Sequence, residues 1–473
     1  MHIIFINPQG NFDKQDSYLT EHPDFGGQLV YVKEVAIAMA QLGHQVDIIT
    51  RRMDDPEWPE FKDEIEFYND LPDNPRIVRI ACGGPEFLPK EKLWPHLGEF
   101  VDNLVAFYDS TLPDFVTSHY ADGGYCAALF RQKTGIGFTF TGHSLGAQKL
   151  DKLGTNLENV NAMEARYHFS KRIAAERLAM HYASKIITST NQERREQYSH
   201  PLYAGAVNVD DDYKFSVVPP GVNLKIFSRD PQSHDSDFRE KLVQKTGSIQ
   251  QPWILVSSRL DEKKNIKGVV DAYVGNKSLQ HKAGLAICIR GVEDPFRDMH
   301  TLSDDEQKVL RPILQSIDEA GLRDHVIFLD IRSQAELAAT YRFFAKLRSV
   351  FALTAFYEPF GLAPIEAAAT GLVCVATKNG GPSEIFADGS GELVDPFDAN
   401  DIARGLSSAL DNADTLAEKG YQRVISTYTW NRTAEGYLQA INDALQNKET
   451  VQVDEVSLLD DQRIPDYLQT SAG

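Results

Sequence analysis

Cysteine is scarce in this chain. The four cysteines among 473 residues, Cys82, Cys126, Cys288 and Cys374, lie far apart and form no Cys-x-x-Cys pair. That excludes a disulfide framework and a zinc site built on such pairs, and it fits a reducing cytosol. Long apolar runs are also missing. No stretch approaches the roughly 18 apolar residues of a membrane span, and His2-Ile-Ile-Phe-Ile6 is too short for the apolar region of a signal peptide. The expectation is a soluble, cytoplasmic protein. Positive charge is under-represented, with 48 Lys+Arg against 68 Asp+Glu and a formal net charge of −20. The field of such a chain repels polyanions, which argues against nonspecific binding to nucleic acid or an anionic membrane. An anionic ligand therefore needs a local basic pocket. No Asp-x-Asp motif ends an evident strand, because Asp210-Asp-Asp212 lies in a polar loop. No essential metal and no cofactor are expected.

What is present is an ordinary globular composition, 42% hydrophobic, with enough apolar residues for large cores. Strand-like runs at 3–7, 45–50, 77–80, 114–118, 137–141, 185–190 and 215–218 alternate with longer, partly helical segments. Pro219-Pro-Gly221 and the polar stretch 228–237 interrupt the pattern as a linker does. A second series follows at 253–257, 285–290, 326–330, 350–354, 373–377 and 392–394. The reading is α/β, two Rossmann-like doubly wound domains facing each other across a cleft. Their predicted bounds are 1–225 and 226–429, with a helix at 430–446 packing back toward the first domain and a polar, weakly ordered tail at 447–473. Helices are also predicted over 29–41, 161–182 and 402–410.

The stretch Phe356-Tyr-Glu-Pro-Phe-Gly-Leu-Ala-Pro-Ile-Glu366 follows an apolar strand run and opens a helix. Ligands of doubly wound sheets sit beyond the carboxyl ends of strands, where a helix N-terminus offers free N–H groups. Glu358 and Glu366 are acceptors suited to sugar and ribose hydroxyls. Ser257-Ser-Arg259-Leu-Asp-Glu-Lys-Lys264-Asn265 brings cations to the same edge, where fixed donors stabilise a departing diphosphate. Asn379-Gly380-Gly381 adds backbone donors there.

In the first half, Asp24-Phe-Gly26-Gly27-Gln28 precedes a helix and allows close backbone approach. His143, Gly-flanked after the strand Phe138-Thr-Phe-Thr141, is a candidate for bonding a sugar hydroxyl. Lys149, Lys152, Arg166, Lys171 and Arg172 form a basic group inside an acidic chain, with Lys90 as a further member. Charge-assisted contacts of about 1.5–3 kcal/mol each suit a phosphorylated acceptor.

Together, Gly26-Gly27-Gln28, His143, Arg259 with Lys264, and the E-x7-E pair Glu358 and Glu366 resemble the retaining glycosyltransferases of the GT-B fold, family 4. Within it, Asn7-Pro-Gln-Gly-Asn11, Glu21-His-Pro-Asp-Phe-Gly-Gly-Gln-Leu-Val30, Thr139-Phe-Thr-Gly-His-Ser-Leu-Gly-Ala-Gln-Lys149 and Phe356-Tyr-Glu-Pro-Phe-Gly361 are similar to its sucrose-forming branch. The resemblance covers residues 1 to about 445. It implies transfer of glucose from UDP-glucose to fructose 6-phosphate, giving sucrose 6-phosphate with retention, and a separate sucrose-phosphate phosphatase as partner. Carried over, Arg259 and Lys264 hold the diphosphate, Glu366 the ribose, Glu358 a glucose hydroxyl and His143 the transferring glucose. Gly27, Phe360, Gly361 and Leu362 complete the donor set. Gly27, Gln28, Lys90, His143, Lys149, Lys171 and Arg172 cradle the acceptor, with Arg166 an alternative to the last two. A mannosylfructose-phosphate synthase, a sucrose synthase and a nucleotide-sugar epimerase stay open on the same scaffold.

Overall fold

The run His2–Ile6 (β1) has Ile3, Ile4, Phe5 and Ile6 at 0% exposure, the two-sided burial of a central parallel strand. It belongs to a computed structural model that describes residues 1–18, 24–68, 71–109, 111–246, 250–447 and 463–471. The further strands of its sheet are Gln45–Arg51 (β2), Ile65–Tyr68 (β3), Leu71–Ile80 (β4), Phe115–His119 (β5), Phe138–Thr141 (β6), Lys185–Thr188 (β7) and Phe215–Val217 (β8). Their spatial order is β3-β4-β2-β1-β5-β6-β7-β8, and only β3 runs antiparallel, against β4. The strand β3 was not expected; it is a four-residue edge piece with Ile65 left 41% exposed, too short and too open for an apolar signature.

The second sheet contains Trp253–Ser257 (β9), Gly284–Cys288 (β10), Val326–Leu329 (β11), Val350–Leu353 (β12), Val373–Thr377 (β13) and Glu392–Val394 (β14). Its order is β11-β10-β9-β12-β13-β14, parallel throughout. Both sheets reverse their order of strand addition once, between β1 and β5 and between β9 and β12. At such a reversal the connecting helices leave on opposite faces, and a crevice opens beyond the strand ends.

The chain divides into two units, Met1–Pro219 with Thr433–Gly473, and Pro220–Arg432. The division falls slightly before the boundary expected at 225. The helix Trp430–Gln446 belongs mostly to the first unit, where Tyr437 bonds Thr141 at 2.6 Å and Tyr31 at 3.2 Å. The helix expected over 161–182 is two, Val160–Tyr167 and Phe169–Tyr182, broken where His168 takes φ 49°. The Glu164 carboxylate accepts from the Ser170 N–H at 3.0 Å beside the break. Among the described residues no helix is long and apolar enough to cross a membrane.

The tail corrects an expectation. The expected segment 447–473 lies outside the described residues over 448–462 and 472–473, but Arg463–Ser471 is a helix. Ile464 and Leu468 enter the first unit's core at 2% and 5% exposure. Tyr467 donates to Asp151 at 2.9 Å and packs on His200. Isolated by a polar stretch, two apolar residues four apart on a nine-residue helix are too few for periodicity to register. Leu468→Ala should lower unfolding free energy by about 2–5 kcal/mol, the scale for emptying a buried leucine site. Denaturant titration checks this, and an unchanged midpoint would mean that the helix does not dock.

Candidate active site

In the second unit the crevice is bordered by the loop after β9 and the loop after β12. Asn265, at φ 50°, ties the two: its amide donates to the Thr354 carbonyl at 3.0 Å and the Pro396 carbonyl at 2.8 Å. Its side-chain oxygen caps the next helix by accepting from Gly268 N–H, and Phe356 N–H donates to the Lys263 carbonyl at 3.0 Å. These bonds bring Lys264 Nζ to 2.7 Å from Glu358 Oε2, both side chains largely shielded. Two residues 94 apart in sequence thus share one site. Arg259 is exposed on the same loop.

Gly380 and Gly381 seat the Glu358 loop: Gly381 N–H, one of the expected donors, is taken by the Glu358 carbonyl at 2.9 Å, and Glu358 N–H donates to the Asn379 carbonyl at 3.2 Å. A Cβ on Gly380 would lie 2.0 Å from that Glu358 carbonyl oxygen, so no other residue fits. Gly361, at φ 105°, precedes the helix Leu362–Ala369, whose first residue is 47% exposed. Phe360 packs on Tyr428. Glu366 keeps some solvent contact, yet desolvation pushes its carboxyl up to about 8, so it is mainly protonated at neutral pH in the unliganded fold. Buried Tyr341 lies within its electrostatic reach.

In the first unit the reversal lies between β1 and β5, with β6 beside β5. His143 follows β6 with φ 56°, an uncommon conformation for a non-glycine residue that marks functional positions. It is held by an edge contact with Tyr31 and a 2.9 Å bond from its Nε2 to Nδ1 of His119, the last residue of β5. Desolvation lowers its pKa to about 4, so the ring is a neutral hydrogen-bonding group at neutral pH. His119, fully buried and bonded at its other nitrogen to Thr117 at 3.1 Å, is a residue that sequence reasoning missed. Its signal, a histidine closing a strand before a helix, is the one that singled out His143.

The cations are grouped unevenly. Burial, then Arg172, then Lys90 lower the pKa of Lys149, with Arg166 adding to the effect. These four side chains share one electrostatic neighbourhood, and Lys149 and Arg166 both sit over the Tyr167 ring. Lys171 does not figure in this group. Arg172 is buried against Glu176 at 3.1 Å, donates to the Ser144 carbonyl and lies over Tyr120, so much of its charge is internally balanced. Glu176 also accepts from Gly146 N–H at 2.9 Å and from Tyr203, which fixes the start of the helix Gly146–Lys152 that carries Lys149. Lys90 pairs with Asp24 at 3.0 Å beside Gly26 and Gly27, where added Cβ atoms would meet open space. Gln28 Nε2 is buried with no hydrogen-bond partner among the described residues. Glu21-His-Pro23 lies outside the described residues.

Comparison with known proteins shows the family. Residues 238–424 fit the model of glycosyl transferases group 1, and residues 1–246 that of the sucrose synthase first GT-B domain. The sucrose-phosphate synthase of Thermosynechococcus elongatus superposes with TM-score 0.62 at 24% identity, covering 94% of this chain and 100% of that one. Anabaena HepE in complex with UDP and glucose gives TM-score 0.56 at 17% identity, covering 93% and 99%. The chain is a glycosyltransferase of the GT-B fold. A probable sucrose-phosphate synthase of Thermosipho melanesiensis is 47% identical over 93% of this chain and 96% of its own length. A Zea mays sucrose-phosphate synthase is 32% identical over 93% of this chain, which spans about half, 47%, of the maize protein. The chain belongs to the sucrose-phosphate synthase family.

Glu366 generates a pH prediction. Its folded pKa, about 8, lies above the ordinary glutamate range, so the fold retains a proton that the unfolded chain releases. Stability from this group is full below the unfolded pKa and is lost as pH rises to about 8. The melting temperature of Glu366→Gln relative to the parent should therefore climb between pH 5 and 8. A pH-independent difference would contradict the assignment.

Proposed function

We propose that this protein transfers glucose from UDP-glucose to fructose 6-phosphate with retention, releasing sucrose 6-phosphate and UDP. The observation that carries the acceptor choice is the electrostatic grouping of Lys149, Lys90, Arg166 and Arg172 inside a chain of net charge −20. Such a group favours a phosphorylated sugar over the free one by the worth of its charge-assisted contacts. The names of the relatives point the same way.

On the donor side, Arg259 and Lys264 would neutralise the diphosphate, with the helix N-terminus that follows buried Gly361 at exposed Leu362 as a further anion site. Lys264 is held by Glu358 until an anion arrives, so it is positioned without reorganisation. Glu358 would accept from a glucose hydroxyl and Glu366 from the ribose diol. Neutral His143 would bond the transferring glucose. The anomeric hydroxyl of the fructose moiety then attacks the glucose anomeric carbon on the face the nucleotide leaves. The carbon–oxygen bond to the diphosphate breaks, its electron pair goes to UDP, and a phosphate oxygen takes the attacking hydroxyl's proton. The reading assigns charge neutralisation to side chains, so turnover should survive a divalent-metal chelator.

The test is a panel of UDP-, ADP- and GDP-sugars against fructose and fructose 6-phosphate. Preference for UDP-glucose with the phosphorylated acceptor is expected; equal use of free fructose would remove the phosphate argument. Lys264→Ala should lower kcat about 10²–10³-fold, the loss from one transition-state donor. A decrease under about fivefold would contradict its role. Lys149→Ala should chiefly raise KM for the acceptor, and a selective donor defect would overturn that assignment.

A further inference from the structure

Lys149, the cation proposed to meet the acceptor phosphate, stands on a helix too short to hold itself. Gly146–Lys152 has seven residues, and isolated helices below about 12–15 residues are marginal in water. Its position therefore depends on partners outside it. At the start, Gly146 N–H donates to Glu176 at 2.9 Å and Ala147 N–H to the Tyr203 hydroxyl at 3.1 Å. In the middle, the Gln148 amide donates to the Gln197 carbonyl at 2.8 Å. The last turn is tethered through Asp151.

The helix alone disfavours an acid there, because its C-terminal end carries partial negative charge. Asp151 is explained by what it meets. His200 Nδ1 accepts from Leu202 N–H at 3.1 Å, so the ring proton sits on Nε2, which donates to Asp151 Oδ2 at 3.1 Å. A second donor comes from the C-terminal helix Arg463–Ser471, where the Tyr467 hydroxyl lies 2.9 Å from Asp151 Oδ1 and 3.0 Å from Oδ2. Ile464 and Leu468 seat that helix in the first unit's core, and the Tyr467 ring packs 4.9 Å from that of His200. Phenylalanine would supply the same packing; what the hydroxyl adds is a bond to Asp151. Lys149 and Asp151 are two residues apart and do not share a helix face, so the acid can anchor the turn without pairing with the ammonium.

We propose that Tyr467 is a positioning residue for acceptor binding: through Asp151 it fixes the last turn of the helix Gly146–Lys152, and thereby the place where Lys149 meets the acceptor phosphate. This deepens the proposed function and rests on it. The short helix is then held at its start by the buried acid Glu176 and at its end by the C-terminal helix. Discrimination for the phosphorylated acceptor depends on that C-terminal helix, whereas donor binding does not.

The experiment compares the full-length parent with Tyr467→Phe, Asp151→Ala and their double variant, and repeats Tyr467→Phe in a Lys149→Ala background. Tyr467→Phe keeps the ring and should raise KM for fructose 6-phosphate about 3–10-fold, the worth of one hydrogen bond, while kcat and KM for UDP-glucose stay level. The preference for fructose 6-phosphate over fructose, as a ratio of kcat/KM values, should fall by a similar factor, which a mere loss of folded protein would not produce. The Tyr467→Phe effect should vanish once Asp151 or Lys149 is alanine, because residues that act through one another are not additive. An unchanged acceptor KM in Tyr467→Phe, or an effect that persists in full without Lys149, would make the contact structural only and overturn the proposal. If Lys149→Ala leaves KM for fructose 6-phosphate unchanged, the phosphate site of the proposed function falls and Tyr467 with it; if Lys149→Ala raises it and Tyr467→Phe does not, only Tyr467 falls.

Discussion

Parallel pairing is the constraint from which the rest of this structure follows. A parallel strand cannot be joined to its neighbour by a tight turn, so each connection crosses a face of the sheet. Where the order of addition reverses, two successive connections diverge and leave the strand ends uncovered. This happens once in each sheet, at β1/β5 and at β9/β12. The loops there are freed from packing, and they carry the chain's concentrated chemistry: residues 7–11 and 119–122 in one unit, 258–265 and 354–361 in the other. Backbone geometry therefore selects which polar residues are available, and side-chain bonds determine how they are aimed.

Those bonds divide into fixed scaffolding and groups left open. Asn265 and Gly381 bond backbone partners, Gly380 lies against the Glu358 backbone, and their effect is to hold Lys264 against Glu358. Glu176 does the same for the helix bearing Lys149 by taking bonds from Gly146, Arg172 and Tyr203. Breaking such a buried network leaves an uncompensated charge, typically worth about 3–5 kcal/mol, so these residues make the site rigid at the expense of tolerance to substitution. Against that scaffold stand Gln28 and Asn7, each with a buried atom that has no hydrogen-bond partner among the described residues, and Glu366 with a carboxyl held off its charged form. The contrast separates residues that build the site from residues that await something in it.

Much of the fold was legible because core strands of parallel sheets are apolar on both faces and read as short continuous runs, as in Phe115–His119 and Val373–Thr377. The exceptions share a cause. The strand Ile65–Tyr68 and the helix Arg463–Ser471 pack on one side only, through few residues, and their patterns fall below what a window can register. The break at His168 depends on a left-handed residue that sequence does not announce. In the site, residue type pointed to Glu358, Glu366, Arg259 and Lys264, whose loops directly follow apolar strands. It could not reveal that Lys264 meets Glu358, that Arg172 is balanced by Glu176, or that His119 bonds His143, since each depends on two segments distant in sequence. That Gly381 gives its N–H to the Glu358 carbonyl was hidden for the same reason. A glycine pair suits a ligand or a neighbouring backbone equally well, and only the 2.0 Å approach to Glu358 decides between them.

The same charge arrangement recurs in both units. A chain this acidic repels phosphate at long range, so anion binding must come from cations whose fields dominate locally. Each local group is held ready by an acid that neutralises it in part: Asp24 for Lys90, Glu176 for Arg172, Glu358 for Lys264. Unpaired, such cations crowded together would lower one another's affinity for protons, as burial, Arg172 and Lys90 already do to Lys149. Paired, they remain charged and oriented at little cost, and an incoming phosphate has only to outcompete a carboxylate that already sits at hydrogen-bond distance. Lys149 has Glu91 raising its proton affinity against burial, Arg172, Lys90 and Arg166, and the balance lies with the lowering side. An anion placed there would restore the proton affinity that its cationic neighbours depress.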